Sequence, residues 1–314
     1  MNLHTHQEQF SNLITIVSSK LHIPEAAVER DYFIVYLLKN LENSEYADRC
    51  VFKGGTSLSK CYPGSIERFS EDIDLTFLGM DLTDKACEKH IKKIENIITE
   101  GSYIKKIPEE RSSRSKSMYV WLINEDNKVK LEIGSSIRPD PFSKKTFKSY
   151  IHEYLEERGE YEDIEKFNLT SVTLNVLNIE RTFIDKIMSV KRHAICGNLE
   201  NKVRHIYDVV RLYKLREIQE FLKNKEELKK LVNLTKETDS YYLDKRGIPQ
   251  EYNPIGKYDF NTWENKLNSR ICLRYESLHK DLLYTDEKQN FNDALTTFRE
   301  INNIFKEINE WLFK

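Results

Sequence analysis

Apolar positions recur at helical spacing near the N-terminus, first over residues 8–19 and then in IPEAAVERDYFIVYLLKNL. In the second run Val28, Tyr32, Val35 and Leu38 share a stripe, and Pro24 suits a first turn. From residue 51 to 133 the period shortens. CVFK is β-prone and runs straight into Gly54 and Gly55, with Thr56 placed to cap a helix over Ser57–Cys61. DIDLTF alternates strictly, VKLEI cleanly and MYVWLI loosely, which with CVFK predicts at least four strands and a helix from about Lys85 to Ile98 between them. GSSIRPDPFSKK is polar and proline-containing and reads as a loop, whereas SVTLNVL reads as one more short strand. Beyond Ile179 the period is helical again. Ile179, Phe183, Ile187, Val190 and Ala194 form one stripe, and Val203, Ile206, Tyr207 and Val210 another. Residues 238–262, rich in Tyr, Gly and Pro, read as an irregular connection. The pattern predicts an α+β first part, residues 1–175, and a mainly helical second part, residues 176–314.

The 314 residues are enough for a substantial core. With 49 Lys+Arg against 51 Asp+Glu there is no global positive field, so a nucleic acid would have to meet a local basic patch. The five cysteines are odd in number, widely spaced and never C-x-x-C, which argues against a disulfide framework or a structural zinc and fits a reducing, cytoplasmic setting. No run approaches the ~18 apolar residues of a membrane span, so no membrane partner is expected. His4 and His6 read as part of a loose terminus, and the other histidines lack ligand spacing.

The chemistry concentrates in FKGGTSLSKCYPGSIERFSEDIDLTF, residues 52–77. In a strand, residues two apart share a face, so Asp72 and Asp74 point one way while Ile73, Leu75 and Phe77 point the other. Their Cα atoms lie roughly 6.5–7 Å apart by strand geometry, close enough for both carboxylates to hold one cation or a pair. Glu132, in VKLEI, lies opposite Val129, Leu131 and Ile133 and offers a third oxygen ligand. Three such oxygens suit Mg²⁺, with Mn²⁺ the alternative, better than zinc. The Gly54–Gly55 turn ahead of a helix offers free N–H groups to phosphates. Lys53, Lys60 and Arg68 stand near it in sequence to neutralise phosphate charge. Each feature also has a plain structural explanation: a D-x-D pair can face water, Arg68 can pair with Glu67 or Glu71, and Arg204 with Asp208 can be an i,i+4 ion pair.

GGTSLSK, RFSEDIDL and KLEI resemble the first three motifs of the AbiEii/AbiGii toxin family, within the DNA polymerase β-like nucleotidyltransferase superfamily, whose plan the MenT toxins share. VERDYFIVYLL is similar to the helix preceding the glycine motif, and IERTFIDKIMSVKRHA with KVRHIYDVVRLY to a late paired-helix motif. The resemblance runs from about Val28 to Tyr213. It implies a polymerase β-like nucleotidyltransferase domain followed by a helical domain. It further implies that Gly54, Gly55, Thr56 and Ser57, with Lys53, Arg68 and Ser70, bind the nucleotide, and that Asp72 and Asp74 bind the catalytic metal. Glu132 stands at the third acidic position, where the wider superfamily often has aspartate. Lys186 is implied to contact the triphosphate and Asp208 to complete the site.

The implied reaction moves a nucleoside monophosphate from an NTP, GTP or a pyrimidine NTP, to an acceptor. Relatives suggest RNA, particularly a tRNA 3′ end, in an abortive-infection or toxin–antitoxin system directed against phage and paired with a cognate antitoxin. YIKKIPEERSSRSKSMY and RPDPFSKKTFK mix cations with aromatic residues and could hold a phosphate backbone. Transfer to a protein or small molecule stays open, as does a non-catalytic GTP- or RNA-binding regulator.

Overall fold

In the computed structural model, which describes residues 1–136, 138–246, 258–284 and 287–310, the chain divides into two compact units. The first comprises Met1–Pro63 and Phe69–Leu177, the second Gly64–Arg68 and Asn178–Lys314.

The first unit is built on seven strands: β1 (Cys50–Lys53), β2 (Asp72–Phe77), β3 (Tyr103–Lys106), β4 (Ser115–Trp121), β5 (Val129–Gly134), β6 (Phe142–Phe147) and β7 (Val172–Leu177). They form one mixed sheet in the order β3-β4-β5-β2-β1-β7-β6. Strand β2 sits near its middle, antiparallel to β1 and parallel to β5. The alternation in the sequence is explained by burial: Ile73, Leu75 and Phe77 on β2 and Val129, Leu131 and Ile133 on β5 are all buried. They join one apolar core with residues of α1 (Gln7–Leu21), α2 (Glu25–Glu42), α4 (Asp84–Ile98) and α5 (Tyr150–Glu157), while α3 (Gly54–Cys61) follows β1 directly and α6 (Tyr161–Lys166) follows α5. One face of the sheet is thus covered by helices, and the polar side chains of β2 and β5 belong to the other face.

Four local expectations are corrected. FSKK lies in β6, paired antiparallel to β7, because Phe142 and Phe147 sit opposite Leu177 and Val172 in the register; the proline-containing part before it is the loop. Helix α3 begins at Gly54 itself, so Thr56 lies inside the helix and does not cap it. His4 is no loose terminus: its Nδ1 is 2.9 Å from the Tyr32 hydroxyl. Lys60, counted above as a phosphate cation, is buried and forms an ion pair of 2.7 Å with buried Asp31 of α2. Its ammonium stands 4.2 Å from the Tyr150 ring centroid, and Asp31 also accepts from the Tyr150 N–H at 2.7 Å.

The second unit is helical: α7 (Ile179–Ile195), α8 (Arg204–Tyr213), α9 (Arg216–Lys223), α10 (Lys225–Arg246), α11 (Ser269–Glu276), α12 (Leu278–Asp281) and α13 (Phe291–Glu310). Both stripes read from the sequence are buried, and α7 packs on α8. Helix α10 continues to Arg246, so the start of the expected irregular connection is helical; residues 247–257 of it lie outside the described residues. Among the described residues no helix is long and apolar enough to cross a membrane.

A buried charge deprived of its partner is the costly case. Lys60→Met alone should therefore lose about 3–5 kcal/mol of stability in urea unfolding, and Lys60→Met with Asp31→Asn clearly less. Equal losses would show that the pair is not coupled.

Candidate functional site

The register of the sheet assembles the candidates of the first unit. Lys53 on β1 is opposite Asp74 on β2, and Asp74 is opposite Glu132 on β5. Residues opposite one another share a face. Lys53, Asp74 and Glu132 therefore form a row across three adjacent strands, with Asp72 two residues along on the same side. The carboxylates and Lys53 are all partly exposed on this polar face.

Gly54 closes the row against the start of α3. Its φ is +86°, a conformation that side-chain-bearing residues rarely adopt. A Cβ there would collide with Asp74 Oδ2 and stand 3.0 Å from its Cγ. The glycine is thus required twice, for the turn and for the carboxylate lying against it. Thr56, almost wholly buried, holds the entry to β2: its Oγ1 is 2.5 Å from the Asp72 carbonyl oxygen and 2.9 Å from Ser70 Oγ. The buried Ser57 hydroxyl donates to the Gly54 carbonyl at 3.0 Å, bracing the same turn. Gly55 is buried in the first turn of α3. Thr56, Ser57 and Ser70 therefore shape the turn through bonds within the protein.

Glu132 is engaged by a neighbour on its own strand: Lys130 Nζ lies 2.6 Å from its Oε1 and 2.7 Å from Glu110 Oε2. Burial works against the Lys130 charge, but these two carboxylates hold its pKa above the usual lysine value. Among the described residues no group of three or more His, Cys, Asp or Glu is arranged to hold a metal ion. The donor chemistry of Asp72 and Asp74 fits a hard divalent cation, and the space left by the absent Gly54 Cβ lets Asp74 take its place there. Glu132, expected as a third ligand, is turned to Lys130 because residues two apart on a strand share a face.

The remaining candidates lie in the second unit and meet one another. Asp208 on α8 is wholly buried. Arg68, also buried, reaches it with two bonds, Nε to Oδ1 at 2.6 Å and Nη2 to Oδ2 at 2.8 Å, and Lys186 Nζ on α7 lies 2.8 Å from Oδ2. Such a two-pronged guanidinium–carboxylate pair is among the strongest side-chain contacts. Neither partner proposed from sequence spacing applies to Arg68: Glu67 pairs with Arg211 at 3.0 Å and Glu71 with Arg30. Burial disfavours the Asp208 charge, yet Arg68 and Lys186 override it and hold the carboxyl far below the usual aspartate range. Burial lowers the Lys186 pKa, with Asp208 opposing the shift. Half-buried His205, whose Nδ1 is 2.9 Å from Ser189 Oγ, has its pKa lowered well below the usual histidine value by desolvation and by the surrounding cations. Spacing within α8 could not reveal the Arg68–Asp208 pair, because the partners are 140 residues apart.

Because the folded-state pKa of Asp208 is depressed, its carboxylate contributes stability that is complete above the unfolded-state value of about 3.9 and is lost as pH falls towards the folded value. Asp208→Asn should cost about 3–5 kcal/mol at neutral pH, since it leaves two buried cations unopposed. In unfolding curves the gap to wild type should narrow below about pH 4. A gap constant from pH 7 to pH 3 would refute the coupling.

The chain matches the family described as "Nucleotidyl transferase AbiEii toxin, Type IV TA system" over residues 36–297. No curated protein matches it in sequence. Among solved structures, MenT4, a nucleotidyltransferase toxin from Mycobacterium tuberculosis H37Rv, is 17% identical with a TM-score of 0.48, the match covering 94% of this chain and 98% of that one. JHP933 from Helicobacter pylori is 20% identical with a TM-score of 0.39, over 82% of this chain and 95% of that one. The family match spans more than half of the chain and takes in the glycine turn, both carboxylate strands and the helices carrying Lys186 and Asp208: the chain belongs to the AbiEii nucleotidyltransferase toxins of type IV toxin–antitoxin systems.

Proposed function

We propose that this toxin transfers a nucleoside monophosphate from an NTP, GTP or a pyrimidine NTP, to the 3′ end of an RNA, a tRNA in particular, and so blocks translation. The observation that carries the reading is the row Lys53–Asp74–Glu132 with Gly54 packed against Asp74. Asp72 and Asp74 would hold Mg²⁺ or Mn²⁺, which when bound lowers the charge of the triphosphate and polarises the α-phosphate. The acceptor hydroxyl oxygen forms a bond to the α-phosphorus, the bond to the β-phosphate oxygen breaks, pyrophosphate leaves, and the hydroxyl proton passes to the carboxylate group of Asp72, Asp74 and Glu132.

The turn at Gly54 and Gly55 and the start of α3 are suited to the phosphates, because the first N–H groups of a helix lack partners within it. Lys53 adds a positive charge on the same face. Glu132 reaches the reacting group by exchanging Lys130, which Glu110 continues to hold. Within the second unit Lys186 is the cation that turnover requires, and Arg68 and Asp208 act as positioning residues that fix its ammonium. The setting is the cytoplasm, the partner a cognate antitoxin, and the biological role abortive infection against phage.

Incorporation of each α-³²P-labelled NTP into total tRNA should occur with Mg²⁺ and vanish with EDTA and in Asp72→Ala, Asp74→Ala and Lys186→Ala. Label entering a protein band would replace the acceptor, and nucleotide binding without any label would leave a regulator. Gly54→Ala should lower incorporation by about 100-fold, since ångström-scale misplacement of a catalytic group costs that much. Gly64→Ala, at φ +77° with nothing near its Cβ position, is the matched strain control and should keep activity. Similar losses in both would mean that strain, and not the collision with Asp74, is responsible.

A further inference from the structure

The polar face of the sheet does not end at the carboxylates. In the register Asp72 is opposite Lys130, Lys130 opposite Tyr119, and Tyr119 opposite Lys105. One row therefore runs from β2 across β5 and β4 to the edge strand β3, and Trp121 and Tyr103 form the next row on the same face. All four residues of β3 are exposed, and Tyr103 is 63% exposed. The Tyr103 and Trp121 rings stack with centroids 6.0 Å apart and planes 22° from parallel. Lys128 Nζ stands 5.3 Å from the Tyr119 ring centroid. Three ring systems and two lysines thus line the open edge of the sheet that carries Asp72 and Asp74.

A tyrosine of the exposed edge strand stacked on a partly exposed tryptophan of the next strand leaves apolar ring surface in water. Rings interleaved with cations match one chemistry well: unpaired bases stack on the rings while lysines take the phosphates. Lys105 and Lys128 meet Glu125 only at 3.8 and 3.7 Å, loose exposed pairs that a phosphate can displace. Two strand spacings, about 10 Å, separate Tyr119 from Asp72. That is about the reach of one or two nucleotides, so a strand whose last hydroxyl lies at the carboxylates would bring its preceding bases over Tyr119 and Trp121.

We infer that the Tyr103–Tyr119–Trp121 face, with Lys105 and Lys128, is the platform on which the single-stranded 3′ end of the RNA acceptor stacks. The inference rests on the RNA-acceptor reading given above and deepens it. The test is fluorescence anisotropy of a 5′-fluorescein single-stranded oligoribonucleotide with a free 3′ hydroxyl, titrated with the full chain without divalent metal, alongside the NTP-labelling assay. Tyr103→Ala with Trp121→Ala should weaken binding by at least about tenfold, in line with the loss of one stacked base. Trp121→Phe, which keeps a ring, should bind nearly as wild type, and the KM for NTP should not move in either variant. Unchanged affinity in the double variant, an effect on the NTP KM alone, or a wild type that does not bind the oligonucleotide would each overturn the platform. A wild type that binds through these rings but labels no RNA would sink the proposed reaction and leave the platform standing.

Discussion

The carboxylate face depends on how closely one backbone turn approaches one side chain. Gly54 follows β1 at a positive φ and lies directly against the carboxylate of Asp74 on the neighbouring strand. The antiparallel register that sets Lys53 opposite Asp74 brings the following residue, the first of α3, to that carboxylate. A single turn thereby brings together two groups suited to phosphoryl transfer: helix-start N–H groups for anionic oxygens and a carboxylate able to carry a cation. Thr56 and Ser57 strengthen the coupling by bonding to backbone carbonyls at the start of β2 and in the turn itself. Their hydroxyls read naturally as phosphate ligands in sequence, but folding gives both of them structural partners.

The second unit handles charge in the opposite way. Arg68, Asp208 and Lys186 are removed from water, and a single carboxylate there balances two cations. Burying ions is costly unless geometry and hydrogen bonds are good, and a pair of parallel guanidinium bonds supplies both. The five-residue segment Gly64–Arg68 belongs with these helices although it lies between two strands of the sheet in sequence, and Arg68 is the side chain that anchors it to α8. The same buried carboxylate fixes the Lys186 ammonium, so the lysine's position and the anchoring of the segment are set by one group.

Much of the sheet was legible because its signal is local. Alternation marked β2 and β5, since β5 and the first half of β2 bury every second side chain, and the stripes of α7 and α8 marked their packed faces for the same reason at a longer period. What escaped is non-local or concerns direction. FSKK carries two adjacent lysines and looked like loop, and only its pairing with β7 makes it a strand. Lys60 looked like a phosphate ligand from its place after the glycine turn, but a helix turns its side chains through a full circle, and this one faces Asp31. Glu132 looked like a metal ligand from its face of β5, but Lys130, two residues before it, shares that face and bonds to it. Arg68 and Asp208 each looked like half of a local pair because sequence shows only near neighbours.

The two faces of the sheet explain how the proposed acceptor platform can lie beside the carboxylates without disturbing the core. The apolar face is spent on the core, so every substitution there is felt through packing. The polar face carries no such burden at β3, whose residues are all exposed. Strand register transmits position from β2 to this edge rigidly, because each row of opposite residues is locked by backbone hydrogen bonds. Side chains on β3 can therefore vary without cost to the core while their distance from Asp72 stays constant.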